Sequence, residues 1–278
     1  MTTQFYILKD RNLIGTNNLM DNRAFAYGDG FFSTLGVKNG KILWQNQHQA
    51  RIHFSAKQFL LDIDITVVMA SLQLLAKKIT EGTLKIIITR ENQNISGYGF
   101  YTNHPLIFIK SIANNIYQHL DFIGDFPIQK DGQACICNQS LGIRTSRFGG
   151  IKLISSHEQV FARHEFLIKQ QSNPKLSEAL VKNTHNDIVS GTSSNVYYQL
   201  DNRWYTPFVR ASGVNGVVRQ RLLTNGKISK RIFSDGDLSN ITALFFSNAV
   251  KGIIPINKLW INANDVIFLD TLAVKNAL

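Results

Sequence analysis

Lys152 stands at the most chemically suggestive point of the chain. It follows the pair Gly149-Gly150 and precedes the run Ser155-Ser156-His157-Glu158-Gln159-Val160-Phe161-Ala162-Arg163. That run has a helical pattern and opens with a capping-box signature, Ser155 with Glu158 three positions on. A lysine on a glycine-loosened turn at the mouth of a helix is placed to act as a reactive amine. Taken alone, Gly-Gly-x-Lys is a weak signal, because most lysines are solvated surface charges. Its weight comes from other segments, distant in the chain, that supply the remaining parts of one kind of site.

Arg23 and Asp29 lie before and within the turn Gly28-Asp29-Gly30, which feeds straight into a strand; alone, this reads as a turn with solvated charges. His48-Gln49-Ala50-Arg51 opens the first helical stretch, where Arg51 can aim a planar five-donor fork at a phosphate or carboxylate. Ser212-Gly213-Val214-Asn215-Gly216-Val217-Val218-Arg219 is a glycine-flanked turn running into a helix, whose free N–H groups and positive dipole end suit an anion. Ser247-Asn248-Ala249-Val250 follows a strand with a small-residue turn that can add further amides. One lysine, one arginine and two amide-rich turns are the parts needed to hold a phosphate-bearing aldehyde.

The order and spacing of these segments resemble the fold-type IV pyridoxal-phosphate enzymes, the group of branched-chain and D-amino-acid aminotransferases and aminodeoxychorismate lyases. The lyases are the nearest in phrasing. Their Asp-Arg-x-x-x-x-Gly-Asp-Gly is similar to residues 21–30 with Asn22 inserted, and their His-x-x-Arg to His48–Arg51. Their Gly-Ile-Lys and Glu-Gln-Val resemble Gly150-Ile151-Lys152 and Glu158-Gln159-Val160. Tyr205-Thr206-Pro207 and Gly213–Gln220 resemble two further stretches, so the likeness runs from about residue 20 to residue 256. It implies an α+β, two-lobed fold-type IV architecture with a small N-terminal and a larger C-terminal lobe. It also implies pyridoxal 5'-phosphate as cofactor, Lys152 as the Schiff-base lysine, and Arg51 as side-chain phosphate ligand. The amides of Val217, Val218 and Ala249 would complete the phosphate cup, with Ser190, Asn195 and Asn248 also lining the cofactor. The implied reaction is elimination of pyruvate from 4-amino-4-deoxychorismate to give p-aminobenzoate, a step towards folate. The alternative is a branched-chain or D-amino-acid aminotransferase. The family forms homodimers, so a homodimer acting on a small anionic substrate is expected.

Two departures from the family pattern bear on the chemistry. Ser190-Gly191-Thr192-Ser193-Ser194-Asn195 has serine where the family usually carries the glutamate that pairs with the pyridine nitrogen. A serine can hydrogen-bond that nitrogen without holding it as a pyridinium, which weakens the ring as an electron sink. Elimination, driven by a departing group and a newly aromatic ring, needs that sink less than transamination does. The second departure is at the substrate. Phe32 stands where D-specific aminotransferases place a tyrosine, and Ser96 stands near an arginine that the lyases tend to carry before Gly-Tyr. Arg90, Tyr98, Arg144 and Arg147 are left as candidates for the substrate carboxylates, each with surface solvation as the plain alternative.

These residues need a scaffold, and 278 residues with 44% apolar and 18% charged content can build one large or two modest domains. Residues 4–8, 31–37 and 41–44 read as strands, the last two joined by Lys38-Asn39-Gly40, a strong hairpin signal. Helical stretches follow at 48–61 and 65–79, then strands at 84–90 and 105–110. The expected division is an N-terminal lobe over 1–113, an interdomain segment over 114–125 and a C-terminal lobe over 126–278 carrying Lys152. In the latter, strands at 134–138, 178–181, 194–200, 243–247 and 266–268 alternate with helices at 155–171 and 216–223. Cys135 and Cys137 are too close along one strand for an unstrained bridge and read as buried hydrophobes in a reducing compartment. No cysteine set for zinc is present, and no metal is expected. The net charge of +11 is spread rather than clustered, so an anionic small molecule is expected rather than nucleic acid. With no signal-peptide pattern and no apolar run of membrane-spanning length, the expected location is the cytoplasm, away from membranes.

Overall fold

The computed structural model describes residues 3–15, 22–93 and 97–278. Asp21 of the resemblance and Ser96 lie outside the described residues. The chain divides into two compact units, Met1–His119 with Ile151–Ser155, and Leu120–Gly150 with Ser156–Leu278.

The first unit contains β1 (Thr3–Lys9), β2 (Asn12–Gly15), the short helix α1 (Arg23–Tyr27), β3 (Gly30–Lys38), β4 (Lys41–Ile42), α2 (Gln45–Gln58), α3 (Ile65–Ile79), β5 (Gly82–Arg90) and β6 (Pro105–Ala113). The strands form an antiparallel sheet in the order β2-β1-β6-β5-β3-β4. Strand pleating sends alternate residues to opposite faces. Phe31, Leu35 and Val37 of β3 share a buried face with Leu84, Ile86 and Ile88 of β5. Phe32, Thr34, Lys85 and Ile87 turn to the other face and are only half-buried. Asn39 and Gly40 take positive φ of 52° and 70°, the conformation a tight hairpin demands. The strand after the hairpin stops at Ile42, short of the expected Trp44, because Trp44 adopts φ 51° as the N-cap of α2.

The second unit contains β7 (Asp121–Ile123), β8 (Phe126–Ile128), β9 (Gly132–Leu141), α4 (His157–Ser172), β10 (Leu176–Asn183), β11 (Ile188–Gly191), β12 (Asn195–Leu200) and β13 (Arg203–Thr206). It continues with α5 (Val217–Thr224), β14 (Ile228–Lys230), β15 (Ala243–Asn248), β16 (Gly252–Trp260), β17 (Val266–Phe268) and α6 (Val274–Ala277). The main path of its mixed sheet runs β11-β10-β9-β16-β15-β12-β13-β14. Ala162 and Phe166 of α4 pack with Cys135, Cys137, Ala179 and Val181 in one core. A second core gathers Leu180, Val196, Tyr198, Leu244, Phe246 and Ile256. Both cysteines are buried free thiols, and burial pushes them up to about 11 and about 12.

Three features differ from the sequence reading. Lys152 belongs with the first unit rather than the C-terminal lobe, because Ile151–Ser155 lies along the start of β3. The capping box of Ser155 with Glu158 does not form: the N-cap of α4 is Ser156, and the Glu158 carboxylate accepts from the Gly142 N–H at 2.9 Å. Finally, β16 is a nine-residue strand bonded to β9 and β15, although Pro255 lies within it.

Candidate active site

In the first unit the site is built on β3. The Phe32 N–H donates to the Lys152 carbonyl at 2.9 Å, Phe31 bridges Leu153, and the Ile154 N–H donates to the Gly30 carbonyl at 3.2 Å. This antiparallel registration fixes the backbone of Lys152 on the strand. Its Nζ lies 4.7 Å from the centroid of the Phe32 ring. Lys85 of β5 places its own Nζ 4.8 Å from the same centroid. An aromatic face attracts cations, so one ring holds two amines that would otherwise repel each other. Burial, and then the charge of its cross-strand partner Lys110, lower the Lys85 pKa. Sequence reasoning missed Lys85 and the half-buried Thr34 opposite it. Only the β3–β5 register, Thr34 against Lys85, puts them on the face of Phe32.

Ser33 follows Phe32 and points to the buried face, where α2 delivers His48 and Arg51. The Arg51 guanidinium donates from Nη2 to Ser33 Oγ, and Ser33 Oγ lies 2.9 Å from His48 Nδ1. Burial brings the Arg51 pKa down to about 10, and its Nε has no hydrogen-bond partner. Among the described residues no carboxylate pairs with it. A buried cation without a counter-charge and with an orphaned donor suits an anionic ligand.

Arg90, a candidate for the substrate carboxylate, is committed elsewhere. It donates from Nε to Asp29 Oδ2 at 3.2 Å, from Nη1 to the Thr102 carbonyl and Asn103 Oδ1, and from Nη2 to the Phe59 carbonyl at 2.6 Å. The Phe100 ring lies 3.7 Å from its guanidinium carbon. With its fork so engaged, Arg90 serves the fold rather than a ligand. Arg23 donates to the same Asp29 oxygen at 2.8 Å and to the Tyr98 carbonyl at 3.0 Å, so Asp29 ties two arginines together. Tyr98 itself is 85% exposed and packs against Tyr27 at 5.4 Å between ring centroids.

In the second unit, Gly149 and Gly150 explain the glycine pair ahead of Lys152. A Cβ on Gly149 would fall 1.7 Å from the Arg210 carbonyl oxygen, and Gly150 takes φ 78° while its carbonyl accepts from Asn215 N–H at 2.8 Å. Gly216 is the N-cap of α5 and offers no side-chain acceptor, so the first-turn amides of buried Val217 and Val218 have no capping side chain. Asn195 packs against this helix start: its Nδ2 donates to the Val214 carbonyl at 2.8 Å, and its Oδ1 lies 2.1 Å from where a Gly216 Cβ would be. Asn248 shapes the second turn, its Oδ1 accepting from Val250 and Lys251 N–H at 3.0 and 2.8 Å. Ala249 lies between Asn248 and Val250 in this turn. Ser190 is buried on β11, paired with Val181 of β10. Arg144 is half-buried, its pKa lowered by burial against the opposing charge of Glu158, and Arg147 is exposed. Three groups therefore emerge: Lys152, Lys85 and Phe32 on one face of the first sheet, Arg51 with Ser33 and His48 on its buried face, and, in the second unit, Asn195, Val217, Val218, Asn248 and Ala249 around the two amide-rich turns.

The Amino-transferase class IV family matches residues 30–259 of this chain. The chain is 24% identical over 264 residues to an aminodeoxychorismate lyase of Vibrio harveyi, spanning 90% of each protein. It is 21% identical over 261 residues to a D-alanine aminotransferase of Bacillus licheniformis, spanning 86% of this chain and 82% of the relative. Its fold is similar to the crystal structure of 4-amino-4-deoxychorismate lyase from Pseudomonas aeruginosa, with a TM-score of 0.82, 25% identity, and coverage of 98% and 96% of the two chains. The α+β architecture is that of the fold-type IV enzymes.

Proposed function

The chain belongs to the Amino-transferase class IV family, and from that premise we propose that it is a pyridoxal-phosphate-dependent lyase releasing pyruvate and p-aminobenzoate from 4-amino-4-deoxychorismate. The observation that carries this reading is the pair of lysines on Phe32. One amine serves the cofactor aldehyde, and the other supplies a cation for an anionic substrate.

Each unit carries donors of the kind a cofactor phosphate takes. Arg51 brings a buried guanidinium with an orphaned Nε, and Val217, Val218 and Ala249 bring main-chain amides at a helix start and a tight turn. When bound, pyridoxal phosphate supplies an aldehyde that condenses with amines and a conjugated ring that takes up electrons from the carbon bearing nitrogen. Lys152 is the amine that would hold that aldehyde and that a substrate amine would set free for proton transfer. As a neutral amine it then removes the proton from the substrate carbon bearing nitrogen. The ammonium so formed lies on an aromatic face, which stabilises its charge while the enolpyruvyl group leaves. Lys152 afterwards returns the proton to the departing fragment. Lys85 orients a substrate carboxylate, and the apolar ring of Phe32 offers that carboxylate no hydrogen bond.

Ser190 supports elimination over transamination. Its hydroxyl cannot hold the ring nitrogen as a pyridinium, so a long-lived carbanion for reprotonation at another carbon is disfavoured. The reading extends to a homodimer in the cytoplasm, tested by light scattering and fractionation. Its decisive test is pyruvate and p-aminobenzoate release by the loaded protein beside a Lys152→Ala control. Both products appearing together, and only with Lys152, support it. No pyruvate from loaded enzyme, with turnover of a D- or branched-chain amino acid instead, replaces it with the aminotransferase reading.

A further inference from the structure

Glu178 lies on β10, is 1% exposed, and has no part in the mechanism above. Its Oε1 accepts from the N–H groups of Ala179 and Thr192, each at 3.1 Å, and from the Thr192 hydroxyl. Its Oε2 accepts from the hydroxyls of Ser193 at 3.0 Å and Ser194 at 2.8 Å, and from the Ser193 N–H at 3.4 Å. Arg163 Nη1 stands 3.7 Å away and donates to Thr192 Oγ1 at 3.2 Å. A single buried carboxylate thus gathers the whole Thr192–Ser194 turn.

The direction of these bonds matters. An ionised carboxylate only accepts, so the hydroxyl of Ser194 must turn its hydrogen towards Glu178 and leave its oxygen as an acceptor. Asn248 uses that acceptor, donating from Nδ2 at 3.3 Å. With its nitrogen end committed, Asn248 presents Oδ1 to the N–H groups of Val250 and Lys251 and closes the turn that carries Ala249. In the other direction the Thr192–Ser194 turn leads directly into Asn195, which is bonded to Val214 and lies against Gly216 at the start of α5. Both amide-rich turns are therefore set from one carboxylate. A carboxylate behind an anion site is electrostatically unfavourable, and by charge alone a neutral amide is the better choice. A glutamine, however, would direct N–H donors at hydroxyls and amides that are themselves donors, and the polarity of the chain to Asn248 would be lost.

We propose that Glu178 is a positioning residue for phosphate binding: through Ser194 it fixes which end of the Asn248 amide faces the Ala249 turn. The proposal rests on the cofactor reading above. Its test compares equilibrium binding of pyridoxal phosphate and of phosphate-free pyridoxal to cofactor-depleted wild type, Glu178→Gln and Ser194→Ala, each with native circular dichroism. The Kd for pyridoxal phosphate is expected to rise roughly tenfold in Glu178→Gln and several-fold in Ser194→Ala, the size of one misdirected charge-assisted hydrogen bond. The Kd for pyridoxal should change in neither, because Lys152 and the aldehyde are untouched. Equal losses for both ligands, or no loss for either, would overturn the role of Glu178. If Glu178→Gln does not fold, Ser194→Ala decides by the same comparison. Failure of the cofactor reading is a separate outcome: wild type itself would then bind pyridoxal phosphate no better than pyridoxal.

Discussion

Ser33 and His48 meet at 2.9 Å between Oγ and Nδ1 on the buried face of the first sheet, and the Arg51 guanidinium donates to the same serine oxygen. His48 is fully buried beside the Arg51 cation, which favours the neutral imidazole; its Nδ1 then accepts the Ser33 hydroxyl hydrogen, with the ring proton on Nε2. Burial, and then the charge of Arg51, hold the His48 pKa well below 6.5.

A sign for the pH dependence of stability follows. Below pH 6.5 the unfolded chain takes up a proton on His48 that the folded chain refuses, so stability is lost as pH falls. The slope approaches about 1.4 kcal/mol per pH unit for one such group. Urea denaturation at pH 7.5 and 5.5 should show wild type losing roughly 1 kcal/mol more than His48→Gln over that interval. Equal losses in the two proteins would contradict a neutral buried His48.

The engagement of Arg90 by Asp29, Thr102, Asn103 and Phe59 makes it a stability residue. Arg90→Ala opens a cavity, leaves Asp29 to Arg23 alone and takes a donor from the Phe59 carbonyl and Asn103 Oδ1, a loss of about 2 kcal/mol or more. Chemical denaturation should record that loss, with KM for the substrate unchanged in the protein that remains folded. A variant of unaltered stability and raised KM would return Arg90 to the list of substrate ligands.

Much of the scaffold is legible because local chemistry and tertiary packing agree. Helix α3 begins and ends as its pattern predicts, because Asp64 Oδ1 accepts from Thr66 and Val67 N–H and an apolar stripe of Val68, Leu72 and Leu75 is buried. The 38–40 hairpin is legible for a similar reason, since asparagine and glycine tolerate its positive φ. By contrast β16 is hidden by Pro255, a residue that argues against an interior strand. Lys85 and Glu178 are charges within largely apolar strands. Their neighbours, Phe32 and the Thr192–Ser194 turn, are set by strand pairing across the chain and leave no local mark.

Lys85 offers the most direct test of substrate recognition. Lys85→Ala should raise KM for the anionic substrate about tenfold, as expected for one charge-assisted contact, while the Kd for pyridoxal phosphate stays constant. The lowered Lys85 pKa adds a pH signature. The proposed role of Lys85 needs its charged form, so kcat/KM should fall as pH rises through a value below that of an ordinary lysine. Lys85→Arg should move that alkaline limb upward. An unchanged limb in the arginine variant would assign it to another group.

The proposed function gives Ser190 the choice between the two chemistries of the family. Because its position is buried on β11, Ser190→Glu introduces a carboxylate with no partner in the cofactor-free protein. An unpaired buried carboxylate is costly, so cofactor-free Ser190→Glu should melt below wild type. Pyridoxal phosphate would bring a ring nitrogen able to share its proton with that carboxylate. The Tm increase on cofactor binding should therefore be larger in Ser190→Glu than in wild type. A protonated ring is also the stronger electron sink. An amino donor alone should then convert the variant to its pyridoxamine form, read by absorbance, faster than it converts wild type. If the cofactor raises both Tm values equally and the conversion rates match, residue 190 does not face the ring nitrogen. The preference for elimination would then need another origin.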